Sequence, residues 1–112
     1  MTANRRRGEI AAELDGKTYR LCLTLGALAE LEAAYAADDL GALVERFSRG
    51  RLSALDMIRI IGAGLRGAGH NISDDDVRGM QAANGATGFA GIVSDLLTTT
   101  FGTAQGEPSP NP

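Results

Sequence analysis

A change in the spacing of apolar residues at Thr24 constrains the fold of this chain more than any other feature of its sequence. Before Thr24, apolar and polar residues alternate, with a period of two that is typical of a β-strand. Over residues 25–35, apolar residues instead recur every three or four positions, which is typical of an amphipathic α-helix. The Thr24 hydroxyl can cap this helix by accepting a hydrogen bond from a backbone N–H. The sequence therefore predicts strands first and helices afterwards.

The alternating part predicts a β-hairpin with strands over residues 8–14 and 17–23. Asp15-Gly16 joins the strands, and this pair suits a two-residue turn in which both residues have positive φ. Such a turn sets a pairing register that puts the apolar side chains on one face of the hairpin. These side chains are Ile10, Ala12, Leu14, Tyr19 and Leu21. The opposite face carries Glu9, Ala11, Glu13, Thr18, Arg20 and Cys22.

Two helices follow, and we expect an apolar stripe on each to face the core. The first spans residues 25–35, and its stripe consists of Leu25, Leu28, Leu31 and Tyr35. The second spans residues 40–47, and its stripe consists of Leu40, Leu43, Val44 and Phe47. Asp38 or Asp39 can cap this second helix.

Two later helix starts carry the same capping box, in which a serine and an aspartate three positions on exchange hydrogen bonds with the backbone. Ser53 and Asp56 form the first box, and Ser73 and Asp76 form the second. We expect the second of these helices to be short and to end near Ala83.

The helix that begins at the first box contains Gly62 and Gly64, which are unfavourable inside a helix and therefore predict a close approach by another element. Its Arg59 and Arg66 are predicted to face solvent. The last helix is predicted over residues 89–101, with a broad apolar stripe. That stripe consists of Phe89, Ile92, Val93, Leu96, Leu97 and Phe101.

Length and composition indicate one small α+β domain that is mostly α, a hairpin followed by four to five short helices. We expect the domain to span residues 8–102. The polar, basic segment 1–7 and the Pro-rich segment 103–112 bury too little apolar surface to offset the cost of ordering, so both are predicted to be disordered.

The charge balance argues against a nucleic-acid partner. Lys and Arg number 11 against 14 Asp and Glu, which gives a net charge of −3, whereas a nucleic-acid binder needs a basic face. No apolar run reaches the roughly 18 residues of a membrane span, so we expect no membrane partner. A lone cysteine, Cys22, excludes an intramolecular disulfide and suits a reducing cytoplasm.

Residues with catalytic or metal-binding chemistry are sparse. His70 is the single histidine, and the acidic run 74–76 lacks the ligand spacing of a calcium loop and is better explained as a helix start. The glycine-rich run 62–70 does not follow a strand and lacks a phosphate-binding lysine. We therefore expect a protein that is not an enzyme and that needs no cofactor and no metal.

Several segments of the chain resemble the small tail protein encoded in the gene transfer agent clusters of alphaproteobacteria, a family grouped with phage tail assembly chaperones and also labelled as a tail tube protein. The most specific are LTLGALAELE at residues 23–32 and GLRGAGH at residues 64–70. Weaker similarity extends over residues 5–101.

The resemblance implies a role in building a phage-like tail. A tail assembly chaperone would bind the apolar, helical tape-measure protein and recruit tail tube subunits, whereas a structural tail component would remain in the particle. Because the sequence predicts only one hairpin, we favour the chaperone and keep the structural component as the alternative. The predicted client surface consists of Leu28, Leu31, Tyr35, Met57, Ile61, Leu97 and Phe101. The hairpin edges offer a second contact, with a partner strand or another copy of the chain.

A small DNA-binding regulator is a second alternative, because residues 53–67 and 73–83 are spaced like a helix-turn-helix. Asp74, Asp75 and Asp76 oppose it, since they would face phosphates at the start of a recognition helix.

Overall fold

The structure, a computed structural model, describes residues 3–49 and 51–102. A 3-10 turn at Arg5–Arg7 precedes two antiparallel strands, β1 (Glu9–Leu14) and β2 (Lys17–Cys22). Five α-helices follow in the described part of the chain: α1 (Leu25–Tyr35), α2 (Leu40–Ser48), α3 (Ala54–Gly67), α4 (Asp74–Arg78) and α5 (Gly85–Phe101). The predicted fold class, a hairpin followed by helices in one small α+β domain, is confirmed.

The hairpin has the predicted turn and register. Asp15 and Gly16 have φ values of 55° and 76°, as a two-residue turn between twisted strands requires. The strand pairs include Leu14 with Lys17 and Ile10 with Leu21. The apolar face is buried, with Ile10, Leu14 and Leu21 at most 1% exposed.

Helix α3 lies at the centre of the molecule and packs against β2, α1, α4 and α5. Its glycines allow this, as predicted. A Cβ on Gly64 would lie 2.8 Å from Cδ2 of Leu96 on α5, and one on Gly62 would lie 2.1 Å from Oδ1 of Asp74. The approach at Gly67 is closer still, because a Cβ added there would lie 2.0 Å from the carbonyl oxygen of Cys22 on β2. At Gly62 and Gly64 a neighbouring side chain would have to move to admit a Cβ, whereas at Gly67 the contacted atom is backbone, so a side chain there would push α3 away from β2.

The predicted helix caps form. The Thr24 hydroxyl accepts from the backbone N–H of Ala27 at 3.1 Å, and the two capping boxes at the starts of α3 and α4 are complete. Asp39 caps α2 by accepting from the N–H of Ala42 at 2.8 Å.

Two residues of the predicted apolar stripes point away from the core. Leu25 is 78% exposed and Leu40 is 40% exposed. Each is the first residue of its helix, where the Cα–Cβ bond tilts back toward the N-terminus and away from the packed turns. The stripe predictions were wrong at these two positions.

The boundary between the last two helices also differs from the prediction. Helix α4 ends at Arg78 rather than near Ala83, and α5 begins at Gly85 rather than at Phe89. The chain leaves α4 because Gln81 pairs with the hairpin turn. Its carbonyl accepts from the N–H of Asp15 at 2.8 Å, and its N–H donates to the Asp15 carboxylate at 2.9 Å.

The two ends of the chain are described only in part. Residues 1–2 and 103–112, within the segments predicted to be disordered, lie outside the described residues. Arg5–Arg7, from the same N-terminal segment, form the 3-10 turn. Arg5 contacts the Asp95 carboxylate and donates to the Thr99 hydroxyl at 2.9 Å, both on α5. Among the described residues, no helix has the length and hydropathy needed to cross a bilayer.

Candidate binding groove

Three adjoining cavities form a groove along one side of α5, which is mainly apolar at the start of α5 and has a mixed polar and apolar lining, including Ser48, Ser94 and Thr98, farther along the helix. One, of about 90 Å³, lies near the end of α5 against α2. The next, of about 440 Å³, lies beside the middle of α5, and the third, of about 200 Å³, lies between α3, α4 and the start of α5. We call this surface the α5 groove. Its apolar lining consists chiefly of Val44, Phe47, Leu52, Met57, Ile58, Ile61, Val77, Met80, Phe89, Leu97 and Phe101.

The groove exists because the helices that form its walls pack on different neighbours. Helix α2 packs on α1, whereas α5 packs on α3 and on the hairpin. Val93 and Leu96 form the core-facing stripe of α5, and both side chains are completely buried. The neighbouring Leu97 and Phe101 face the space between α2 and α5, where they remain partly accessible. The predicted stripe of α5 is therefore wider than the core can cover.

The structure brings together part of the predicted client surface. Met57, Leu97 and Phe101 line the α5 groove. Ile61 lines it too, but as part of its floor, since its side chain is 1% exposed. Leu28 and Leu31 are buried in the core and lie away from the groove. The remaining residue, Tyr35, is described next.

Tyr35 belongs to a polar cluster centred on Asp56, the only charged or polar residue buried in the described part of the chain. The Tyr35 hydroxyl donates to Oδ1 of Asp56, and Arg46 of α2 approaches the same oxygen at 3.3 Å. The Tyr35 ring packs edge-on against Phe47, with the ring centroids 5.3 Å apart. Arg46 and Arg59 lie over that ring, 4.9 and 5.2 Å from its centroid. The cluster thus fixes α1 and α2 to the start of α3 and positions Phe47 in the groove wall.

The cluster shifts the pKa of both central groups. Burial raises the pKa of Tyr35 to about 12, and the hydrogen bond to Asp56 acts in the same direction. Burial also acts to raise the pKa of Asp56, but hydrogen bonds from Tyr35 and Ser53 outweigh it and leave that pKa lowered. Over the neutral pH range, the cluster therefore contains a protonated tyrosine that donates to an ionised carboxylate.

Arg66 forms a second polar contact between helices and is half-buried rather than facing solvent as predicted. Its guanidinium donates to Glu30 of α1 at 2.7 Å and to Asp74 of α4 at 3.0 Å. It also donates to the carbonyl of Ile72 at 2.9 Å. These hydrogen bonds with Glu30 and Asp74 raise the pKa of Arg66. The side chain holds α1 and α4 on either side of α3.

Cys22 and His70, the candidate reactive residues, make hydrogen-bonding and packing contacts within the fold. The Cys22 thiol donates to the carbonyl of Arg7 at 3.6 Å, and burial raises its pKa, which disfavours the nucleophilic thiolate. The His70 ring packs edge-on against Tyr19 at 5.3 Å. Within the described residues, no three His, Cys, Asp or Glu side chains come together as a metal site.

A comparison with protein families adds a finding that covers almost the whole chain. Residues 7–103 match the model of a family described as "Phage tail tube protein, GTA-gp10". The chain belongs to this phage tail family. The resemblance to gene transfer agent tail proteins is thereby confirmed. No curated protein and no solved structure matches the chain.

The tail family changes the balance between the two predicted roles. Its description names a tail tube protein and no chaperone, so it supports the structural alternative better than the chaperone that the sequence favoured. It also names a structural protein rather than a reaction. The DNA-binding alternative gains no support, because α4, the proposed recognition helix, spans only 5 residues and begins with three aspartates.

Sequence reasoning missed two parts of this site. Asp56 was predicted only as a helix cap, and its contact with Tyr35 joins positions 21 residues apart. Phe47 is buried in the core as predicted but also forms part of the groove wall, and Phe89, which was predicted to face the core, is only partly buried and lines the groove together with Met80. The signal for the groove was the width of the α5 stripe, which includes both Val93 and Leu97.

Proposed function

We propose that this tail-family protein acts in building a phage-like tail by binding an apolar helix of another tail protein in the α5 groove. The observation that carries the proposal is the groove itself. It follows α5 from Ala86 to Phe101, a length of about 23 Å at 1.5 Å per residue.

The shape and chemistry of the groove suit a helix. An amphipathic helix presents apolar side chains at positions i, i+3, i+4 and i+7, and these lie along one line. Three cavities in a row offer successive sites for such side chains. Met57 and Met80 lie in the lining, and methionine side chains adapt readily to different apolar surfaces. The preferred occupant is the tape-measure protein, whose apolar helices need to be kept soluble before assembly.

The first way for the protein to act is as a structural component that stays in the tail. The description of its family, a tail tube protein, favours this role. In that role the α5 groove would hold a neighbouring tail protein permanently, and the protein would be recovered with the finished particle.

The second way is as a tail assembly chaperone that holds its client and is then released. The secondary structure favours this role, because the two strands contain only 6 residues each and provide little sheet to line a tube. Quantifying the chain in purified particles separates the two roles. A stoichiometric amount would establish the structural component, and its absence from particles of cells that express it would establish the chaperone.

Co-expression with the tape-measure protein of the same gene cluster tests the groove. In the variant Leu97→Asp, a charge replaces an apolar side chain in the groove lining, and Leu25→Asp makes the same change on the exposed N-terminal turn of α1. We expect Leu97→Asp to reduce co-purified tape-measure protein at least tenfold, since losing the burial of one leucine costs roughly 1.5–3 kcal/mol. Leu25→Asp is expected to match the wild type.

Circular dichroism must show that both variants remain folded. Phe101→Asp, at the end of α5, provides a second groove variant that leaves the centre of the core intact. Equal recovery of the tape-measure protein with the wild type and with both groove variants would refute binding in the groove.

A further inference from the structure

The charged side chains beside the α5 groove are arginines. Arg78, on α4, is the one charged residue in the groove lining of the described part of the chain, and it lies beside the start of α5. On the α2 side, Arg49 directly follows Ser48, and Arg51 directly precedes Leu52. Ser48 and Leu52 line the cavities along the middle and the end of α5, and both arginines are exposed. We call Arg49, Arg51 and Arg78 the basic rim.

Carboxylates of the protein itself do little to neutralise the basic rim. Arg78 contacts Asp75 at 3.4 Å within α4, and both side chains are more than half exposed, so the pair is weak. Arg49 and Arg51 make no ion pair among residues 3–49 and 51–102. Glu45, one turn before Arg49 on α2, is exposed and does not approach it. The rim therefore has guanidinium donors that a partner can use.

The wall opposite the basic rim has no charge facing the groove. Asp95 is the one charged residue of α5, and it contacts Arg5 and does not line the groove. The polar residues of α5 that do line the groove are Ser94 and Thr98. The groove thus has a basic side and an uncharged side, in a chain whose net charge is −3.

We propose that the partner of the α5 groove is an amphipathic helix with carboxylate side chains along one flank of its apolar face, and that these carboxylates pair with the basic rim. The inference rests on the proposed function, because it names the chemistry of the helix that the groove binds. A guanidinium is suited to this task, since its planar donors match a carboxylate. Complementary charge around an apolar contact selects the partner and speeds association. With carboxylates on one flank only, the helix lies in the groove in a single direction.

Two synthetic peptides test the chemistry of the partner. Both are helical, are about 18 residues long, or some 27 Å at 1.5 Å per residue, and share one apolar face. The first has glutamates on one flank and glutamines on the other, and the second has lysines in place of the glutamates. Fluorescence anisotropy measures their binding to the full chain. We expect the glutamate peptide to bind about tenfold more tightly at low salt, and the difference to shrink as salt screens the charges.

Charge reversal of the basic rim tests which residues make this choice. In the variant Arg49→Glu/Arg51→Glu/Arg78→Glu, the preference is expected to reverse, so that the lysine peptide binds more tightly than the glutamate peptide.

A matched control separates the rim from the charge of the whole molecule. Arg6→Glu/Arg7→Glu/Lys17→Glu makes the same change in net charge at three exposed positions outside the groove lining, and it should still prefer the glutamate peptide. Leu97→Asp is expected to weaken the binding of both peptides by roughly tenfold or more. Circular dichroism must show that every variant is folded.

Four results would overturn the inference. They are a glutamate peptide that does not bind, equal binding of the two peptides to the wild type, a rim variant that keeps the preference of the wild type, and a control variant that reverses it.

Failure of this inference can be told apart from failure of the proposed function. If the tape-measure protein is recovered with the wild type and lost with Leu97→Asp while any of these four results is found, the groove binds a helix and the basic rim does not select it. If recovery of the tape-measure protein is equal with the wild type and the groove variants, the proposed function itself fails.

Discussion

At the scale of single residues, Asp56 has two roles. Its role as a helix cap could be predicted from the sequence, whereas its role as the acceptor for Tyr35 could not. The capping box is local, since Ser53 and Asp56 are three positions apart, and it was predicted correctly. The hydrogen bond from Tyr35 depends on how α1 meets α3, which no local pattern encodes. Asp56 is 3% exposed, and a buried carboxylate is stable only when its oxygens accept hydrogen bonds.

The variant Tyr35→Phe removes one donor from this buried carboxylate. We expect it to lower the free energy of unfolding by about 1–3 kcal/mol, because the Asp56 oxygen remains buried without that partner. Urea titration measures the change. Tyr19→Phe is a matched control, since the structure gives its hydroxyl no hydrogen-bond partner among the described residues, and it should change the free energy of unfolding by less than about 0.5 kcal/mol. Equal effects of the two variants would contradict a role for the Tyr35 hydroxyl.

The loss of stability caused by Tyr35→Phe is expected to depend on pH. The pKa of Tyr35 rises from 10.0 to about 12 on folding, so its contribution to stability is complete below pH 10 and is lost as the pH rises toward 12. The pKa of Asp56 is lowered on folding. The contribution of Asp56 to stability is therefore present at neutral pH and is lost as the pH falls through the acidic range. The stability difference between wild type and Tyr35→Phe should therefore shrink toward both extremes. A difference that is constant from neutral pH to pH 11 would contradict this.

At the scale of elements, helix starts were predicted well and the junction between α4 and α5 was not. Ser53, Ser73 and Thr24 cap their helices through neighbours in sequence, so their effect can be read locally. The end of α4 depends on Gln81, which pairs with Asp15, 66 positions away in the chain. A tertiary contact of this kind overrides the helical pattern that continues to Ala83.

The contact between α3 and β2 depends on the absence of a side chain at Gly67. Gly67→Ala would place a Cβ 2.0 Å from the carbonyl oxygen of Cys22, and we expect a loss of about 1–3 kcal/mol because backbone must move. Gly91→Ala on α5 is the matched control, since its Cβ would meet nothing within 4 Å. It should stabilise the protein by about 0.5–1 kcal/mol through the higher helix propensity of alanine. Thermal or urea unfolding compares the two, and a Gly67→Ala protein as stable as the wild type would refute the close contact.

At the scale of the whole molecule, the space between α2 and α5 decides what the protein can bind. Periodicity identifies the apolar face of each helix but not whether that face meets another helix or an opening. Leu31 and Leu97 illustrate the limit, because both lie on predicted stripes, yet Leu31 is 1% exposed and Leu97 lines the groove. The sequence thus predicted the fold class and the hairpin register, while the groove required the packing of α2 on α1. The tail role came from resemblance to a family and not from any chemical motif.

The most direct test of the central claim is hydrogen–deuterium exchange of the full chain, alone and in complex with the tape-measure protein. Binding in the α5 groove predicts slower exchange in the backbone amides of α2 and α5, with no change in those of the hairpin. Protection confined to residues 9–22, or a complex that leaves α2 and α5 unprotected, would show that the tape-measure protein binds elsewhere and would contradict the groove as the binding site.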